Sequence, residues 1–208
     1  MSLRESRRLT GDEKIFDGER GPVTVKDWWS WSYSRVRDDR IRGELAEFIV
    51  WSIVDADRND LGSPARPYDF SLSSGRTVEV KSCSVWQDWI TRKPQSLRWT
   101  ITKRANTIDG SLPLAQWHAD IFVFCALSET DQKKIEPLDL AQWEFYALTR
   151  RRLEDAEASG LIRLSPKGNI TLWRSTLASL GAVASRWNGL RGAVQQAESE
   201  VGSPGVVR

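Results

Sequence analysis

Between residues 67 and 84 the chain alternates apolar and polar positions in two short runs, PYDFSL and TVEVKSC, with Ser-Ser-Gly between them. A period of two marks half-buried strands. A three-residue link ending in glycine predicts a hairpin closed by a type I turn, with the glycine in the left-handed region. This link pairs Leu72 with Arg76, and therefore Phe70 with Val78, Tyr68 with Val80 and Asp69 with Glu79. One face then carries Tyr68, Phe70, Leu72, Val78 and Val80, and the other carries Asp69, Ser71, Thr77, Glu79 and Lys81. A two-residue link would set Asp69 opposite Val80 and mix the faces.

Elsewhere the pattern alternates between helix and strand. Thr24 and Asp27 have capping-box spacing at the start of a short helix, Thr24 to Tyr33. Asp39 as N-cap opens a second helix to about Val54, with Ile41, Leu45, Phe48 and Ser52 on one stripe. At about 100° per residue, Glu44 lies about 60° from Ile41 and Glu47 about 120° away, so Glu44 is expected to face inward. A third strand is predicted near Leu97 to Lys103, and the continuous apolar run Ile121 to Leu127 reads as a central strand. Trp143 to Leu148 follows as a strand, Arg151 to Ala158 as a short helix, Ser165 to Gly168 as a turn and Trp187 to Glu198 as a helix. Gly110 and Pro113 leave room between Arg104 and Asp120 only for a short helix, Leu114 to His118. Residues 1–20 balance five basic against five acidic side chains and read as a mobile arm. Residues 21–201 form a single domain, and 202–208 a flexible tail.

Composition narrows the chemistry. With 208 residues, 40% of them hydrophobic, the chain can bury a real core. Two cysteines are too few for a disulfide framework, and both lie in apolar strand-like runs, so they read as buried thiols in a reducing, cytoplasmic setting. A single histidine, His118, leaves little material for a zinc site or for histidine-based nucleophilic catalysis. No run approaches 18 apolar residues and the start lacks a signal-peptide stretch, so no membrane association is expected. The net charge of +2 says little, but Arg92, Lys93, Arg98, Lys103 and Arg104 cluster just after the hairpin, as phosphate contacts would. The same residues would also serve to protect a solvated strand edge. Of the eleven tryptophans, Trp86, Trp89 and Trp99 flank this basic segment and are candidates for base stacking, with core packing the commoner use.

The hairpin carries the sharpest chemical signal. Directly opposed residues have β-carbons about 5 Å apart, so Asp69 and Glu79 repel unless a positive charge lies between them. Lys81, two residues on and on the same face, supplies one charge, and a hard divalent cation would supply the rest. Asp69, Glu79 and the Val80 carbonyl suit Mg²⁺, with Mn²⁺ as substitute.

At these residues the chain resembles the PD-(D/E)XK nuclease superfamily. Glu79-Val80-Lys81 matches its Glu-X-Lys, and Pro67-Tyr68-Asp69 matches its Pro-Asp with one residue inserted. The helix RGELAEFIVWSIV supplies Glu44 where the superfamily places an upstream glutamate. The resemblance covers mainly Asp39 to Lys103. It implies an α/β fold with a restriction-endonuclease-like core, a mixed central β-sheet flanked by helices. It further implies a Mg²⁺-dependent endonuclease that hydrolyses phosphodiester bonds in DNA rather than RNA. Asp69, Glu79, the Val80 carbonyl and Glu44 would hold the metal, and Lys81 would position water and offset charge on the phosphorane. Cutting both strands would call for a homodimer. Two rival readings are a nucleic-acid-binding module on a nuclease fold that has lost cleavage, and an interaction protein using a tryptophan-rich surface.

Overall fold

The structure, a computed structural model, describes residues 8–15, 23–60, 66–87, 93–104 and 115–201. Helix α1 (Val25–Tyr33) begins at the expected capping box: the Asp27 N–H donates to Thr24 Oγ1 at 3.1 Å, and the Thr24 N–H donates to the Asp27 carboxylate at 2.7 Å. The segment 8–15 runs beside it, with Val25 N donating to Glu13 O and Lys26 N to Gly11 O, both at 2.9 Å. The rest of the expected arm (1–7 and 16–20) and the tail 202–208 lie outside the described residues. Helix α2 (Asp39–Ile53) is capped by Asp38, one residue before the predicted cap.

The hairpin closes in the predicted register. Strand β1 (Phe70–Ser71) pairs antiparallel with β2 (Thr77–Ser84), Phe70 opposite Val78, and Leu72 N donates to Arg76 O at 2.7 Å. Gly75 has φ +85°, where a β-carbon is strained. Gly75→Ala is therefore expected to cost about 1 kcal/mol, read as a lowered denaturant midpoint at unchanged slope.

β1 is shorter than the predicted run from Pro67. Its pairing ends at Phe70 because the Asp69 N–H turns to Val78 O (2.9 Å), while the Asp69 carboxylate accepts the Val80 N–H at 2.6 Å. A side chain replaces main chain as the partner of β2, so the expected pairs Tyr68–Val80 and Asp69–Glu79 are not part of the sheet.

Strand β3 (Arg98–Thr102), β4 (Ile121–Leu127) and β5 (Trp143–Thr149) follow. The central sheet has the order β1-β2-β4-β5, with β2 and β4 parallel and the other pairs antiparallel. β4 is buried along its whole length, as its unbroken apolar run requires. Helix α3 (Arg150–Ala158) leads to β6 (Asn169–Trp173), α4 (Arg174–Ser179) and α5 (Trp187–Val201). β6 and α4 were not predicted. β6 pairs with β3 in a separate two-stranded sheet, with Thr100 opposite Thr171. No helix runs through 115–118, since Gln116 forms a bridge with Arg104.

The central sheet is buried on both faces. On one, Val78, Val80, Ile121, Val123 and Cys125 meet Ala46, Ile49 and Val50 of α2 and Leu190 and Val194 of α5. On the other, Phe122, Phe124, Tyr146 and Leu148 meet Trp99 and Ile101 of β3 and Ile170 and Leu172 of β6. Trp99 donates its indole N–H to Cys125 O at 2.9 Å and packs edge-on against Phe124 and Tyr146. The fold is thus mixed α/β, a mixed central sheet with flanking helices, and no described helix is long and apolar enough to cross a membrane.

Candidate functional site

Among the described residues no strand pairs with the outer edge of β2 beyond the short β1, and the charged residues of the hairpin gather there. Glu79 is buried at 8% exposure and forms an ion pair with Lys81. The Lys81 ammonium also lies 3.3 Å from the Val80 carbonyl. Asp69, on the far side of the Val80 N–H, completes the group. Burial and, next, the charge of Glu79 push the Asp69 carboxyl up to about 6, against the Val80 N–H, Lys81 and Arg104, which favour its ionised form.

Helix α2 brings a further carboxylate, but it is Glu47. Burial first, then the charge of Asp69, pushes the Glu47 carboxyl up to about 7, with Glu79 and Glu44 acting in the same sense and Lys81 opposing. Glu44, the residue expected to face inward, forms an i,i+4 ion pair with Arg40 at 2.7 Å on the partly exposed side of the helix. The predicted stripe is only partly covered: Ile41 is buried and Leu45 packs against the core, but Phe48 is 60% exposed, and the face of α2 turned to the sheet is centred on Arg42, Ala46, Ile49 and Val50. From the middle of that buried face, at about 100° per residue, Glu44 is about 170° away and Glu47 about 110°. Glu47 therefore lies on the flank, next to the open edge of β2. Arg42 hid the true face from a reading based on apolar residues, being a charged member buried by its ion pair with Asp39. Both glutamates, with Asp69, Phe48 and Trp51, line a cavity of about 560 Å³.

The basic segment is split. Arg92 lies outside the described residues, and Lys93 is exposed. Lys103 is already engaged by Glu157 at 2.7 Å and by the Trp117 ring, so its charge serves the packing of α3 on β3. Arg98 and Arg104 separate to the two ends of β3: the Arg98 main-chain N–H faces Cys83, while the charge of Arg104 reaches Asp69. Of the tryptophans near this segment, Trp86 and Trp99 are tied by indole hydrogen bonds to Thr130 O and Cys125 O, and Trp89 lies outside the described residues. The His118 ring contacts Arg104 O at 2.7 Å, a structural role. Both cysteines are buried free thiols, and burial pushes Cys83 up to about 12 and Cys125 well above its usual value.

No three His, Cys, Asp or Glu side chains stand as a ready-made metal-binding group among the described residues. The chemistry of the donors nevertheless suits a hard cation. Three carboxylates, Glu47, Asp69 and Glu79, influence one another around a single ammonium, and two of them are held above their ordinary range by burial and repulsion. A divalent ion bound to oxygen would relieve both. In comparisons with known proteins, the chain matches no family model and no curated protein.

Proposed function

We propose that this chain is a metal-dependent nuclease with a restriction-endonuclease-like core that hydrolyses phosphodiester bonds, in DNA rather than RNA. The observation that carries this reading is the gathering of Asp69, Glu79 and Glu47 around Lys81 at an open strand edge. Asp69, Glu79, the Val80 carbonyl and Glu47, the last in place of Glu44, would hold Mg²⁺ or Mn²⁺. Once bound, the metal supplies Lewis-acid polarisation of the phosphate and a water of lowered pKa. The protein residues do the remaining work. Asp69 stays fixed by the Val80 N–H, and Glu79 keeps the ammonium of Lys81 beside the Val80 carbonyl. That ammonium orients the attacking water and offsets charge growing on the phosphorane.

One observation favours the rival reading of an inactive binding module: Glu79 already has a partner in Lys81. A panel of plasmid, single-stranded, branched and modified DNA incubated with Mg²⁺ or Mn²⁺ decides between them. Cleavage by wild type that disappears in Asp69→Asn supports the nuclease. DNA binding with no cleavage of any substrate supports the module.

The two glutamates of α2 should separate in the same assay. Glu47→Gln is expected to lower cleavage about tenfold to a hundredfold, whereas Glu44→Gln, at the partly exposed margin of the same cavity and paired with Arg40, should stay within about twofold. Equal losses would return Glu44 to the site.

A further inference from the structure

We propose that a second cavity, farther along the open edge of β2, is a phosphate-binding subsite. Only the identity of its ligand as nucleic acid rests on the nuclease reading. The cavity, about 280 Å³, is lined by Arg42, Ser82, Ser84, Gln95, Ser96 and Arg98, with Asp39 as its carboxylate. Ser84 lies three residues beyond Lys81, roughly 10 Å along an extended strand.

Arg42 is the central observation. It is 3% exposed, and two of its nitrogens are used, one by Asp39 and one by Arg37 O at 3.1 Å. Its Nε is buried and has no hydrogen-bond partner among the described residues. An unsatisfied buried donor is costly, and a single charged N–H such as Nε is well matched to a phosphate oxygen. Arg98 adds a second guanidinium, exposed and 5.8 Å from the Trp173 ring. The single carboxylate, Asp39, is already held by Arg42, so the lining keeps one net positive charge. The other polar groups are uncharged donors. Ser84, buried at the wall, accepts from Trp86 N at 3.2 Å through its Oγ and keeps an O–H for donation. Two cations with hydroxyls and amides suit a phosphate better than a metal. Arg104, at the opposite end of β3, acts on Asp69, so a polyanion lying along this edge would meet positive charge on both sides of the acids.

The ligand could be a terminal phosphate or an internal phosphodiester, and binding in EDTA distinguishes them without any cleavage. Inorganic phosphate is expected to raise the melting temperature of wild type and of Asp69→Asn alike. Arg98→Ala and Ser82→Ala should each weaken the binding of a short single-stranded oligonucleotide about tenfold. A 5′-phosphate that tightens wild-type binding about tenfold over a 5′-hydroxyl identifies an end-recognising subsite; equal binding with the same losses in the variants identifies an internal one. Phosphate stabilisation lost in these variants, in a protein that never cleaves DNA, would keep the subsite and remove the nuclease reading. Wild-type behaviour of Arg98→Ala, Ser82→Ala and Arg42→Lys with both probes would overturn the subsite. If Arg42→Lys fails to fold, the two milder variants decide it alone.

Discussion

Lys81→Met is expected to reduce Mg²⁺-dependent DNA cleavage by about 10²–10³-fold, the loss typical of a preorganised group that stabilises charge in the transition state. It should also destabilise the metal-free protein. Glu79 is buried, and removing its partner leaves a carboxylate with no counter-ion beside Asp69, a change that costs up to about 3–5 kcal/mol. The two effects separate in a double variant. Lys81→Met with Glu79→Gln removes both charges and should recover most of the thermal stability, while cleavage stays at or below the level of Lys81→Met. A chemical-denaturation series beside a single-turnover assay reads both quantities. Full cleavage by Lys81→Met would remove the ammonium from the mechanism, and unchanged stability would mean that water already solvates Glu79.

The second large effect is a dependence on pH that a divalent cation should reverse. The folded-state carboxyls of Glu47, about 7, and Asp69, about 6, lie above their ordinary values of 4.5 and 3.8. The folded protein therefore binds these protons more tightly than the unfolded chain. Stability from this source is fully present below about pH 4, falls as pH rises through the folded values, and is gone above about pH 7. At 1.36 kcal/mol per unit, with allowance for their coupling and for the half-buried position of Glu47, the pair should contribute on the order of 2–4 kcal/mol. Other carboxyls titrate over the same range, so the quantity to measure is the melting temperature of wild type minus that of Glu47→Gln or Asp69→Asn. In EDTA this difference should grow more negative from pH 5 to pH 8. Millimolar Mg²⁺ should raise wild type at pH 8, do little at pH 5 where protons compete, and leave Asp69→Asn unmoved. A flat difference, or equal stabilisation of wild type and Asp69→Asn by Mg²⁺, would end the proposal of a metal held by these acids.

The hairpin was readable because its information is local. Alternation over six or seven residues on each side and a glycine at the third link position leave one register that keeps the apolar side chains on one face. Gly75 at φ +85° and Phe70 opposite Val78 follow from that alone. Helix α2 was readable as a helix but not in its rotation. Ile41, Leu45 and Phe48 make an apolar stripe as plausible as Ala46, Ile49 and Val50, and only the tertiary packing buries Ile41 with the second set while leaving Phe48 exposed. That rotation sets Glu47 among the acids, while Glu44 lines the same cavity from its partly exposed side, paired with Arg40.

β6 offered a signal that went unused, since Ile170 and Leu172 alternate with polar neighbours over five residues. A run so short is stable only beside β3, about 70 residues earlier in the chain, and nothing local announces that partner. The basic segment failed as a unit for a similar reason. The spacing of Lys103 and Arg104 cannot reveal that Glu157, 54 residues later, takes the first and leaves the second near Asp69.

By itself, the sequence determined the elements whose periodicity spans their own length: the two N-terminal helices, the hairpin and its register, the buried β4, and the presence of Glu79 and Lys81 on β2 with Asp69 just before β1. The tertiary structure alone decided which helical glutamate reaches that cluster, which cations remain near it, and that β1 stops early enough to leave the edge of β2 open. Periodicity is fixed by bonds between near neighbours, whereas helix rotation and charge pairing depend on which distant surface excludes water from each face.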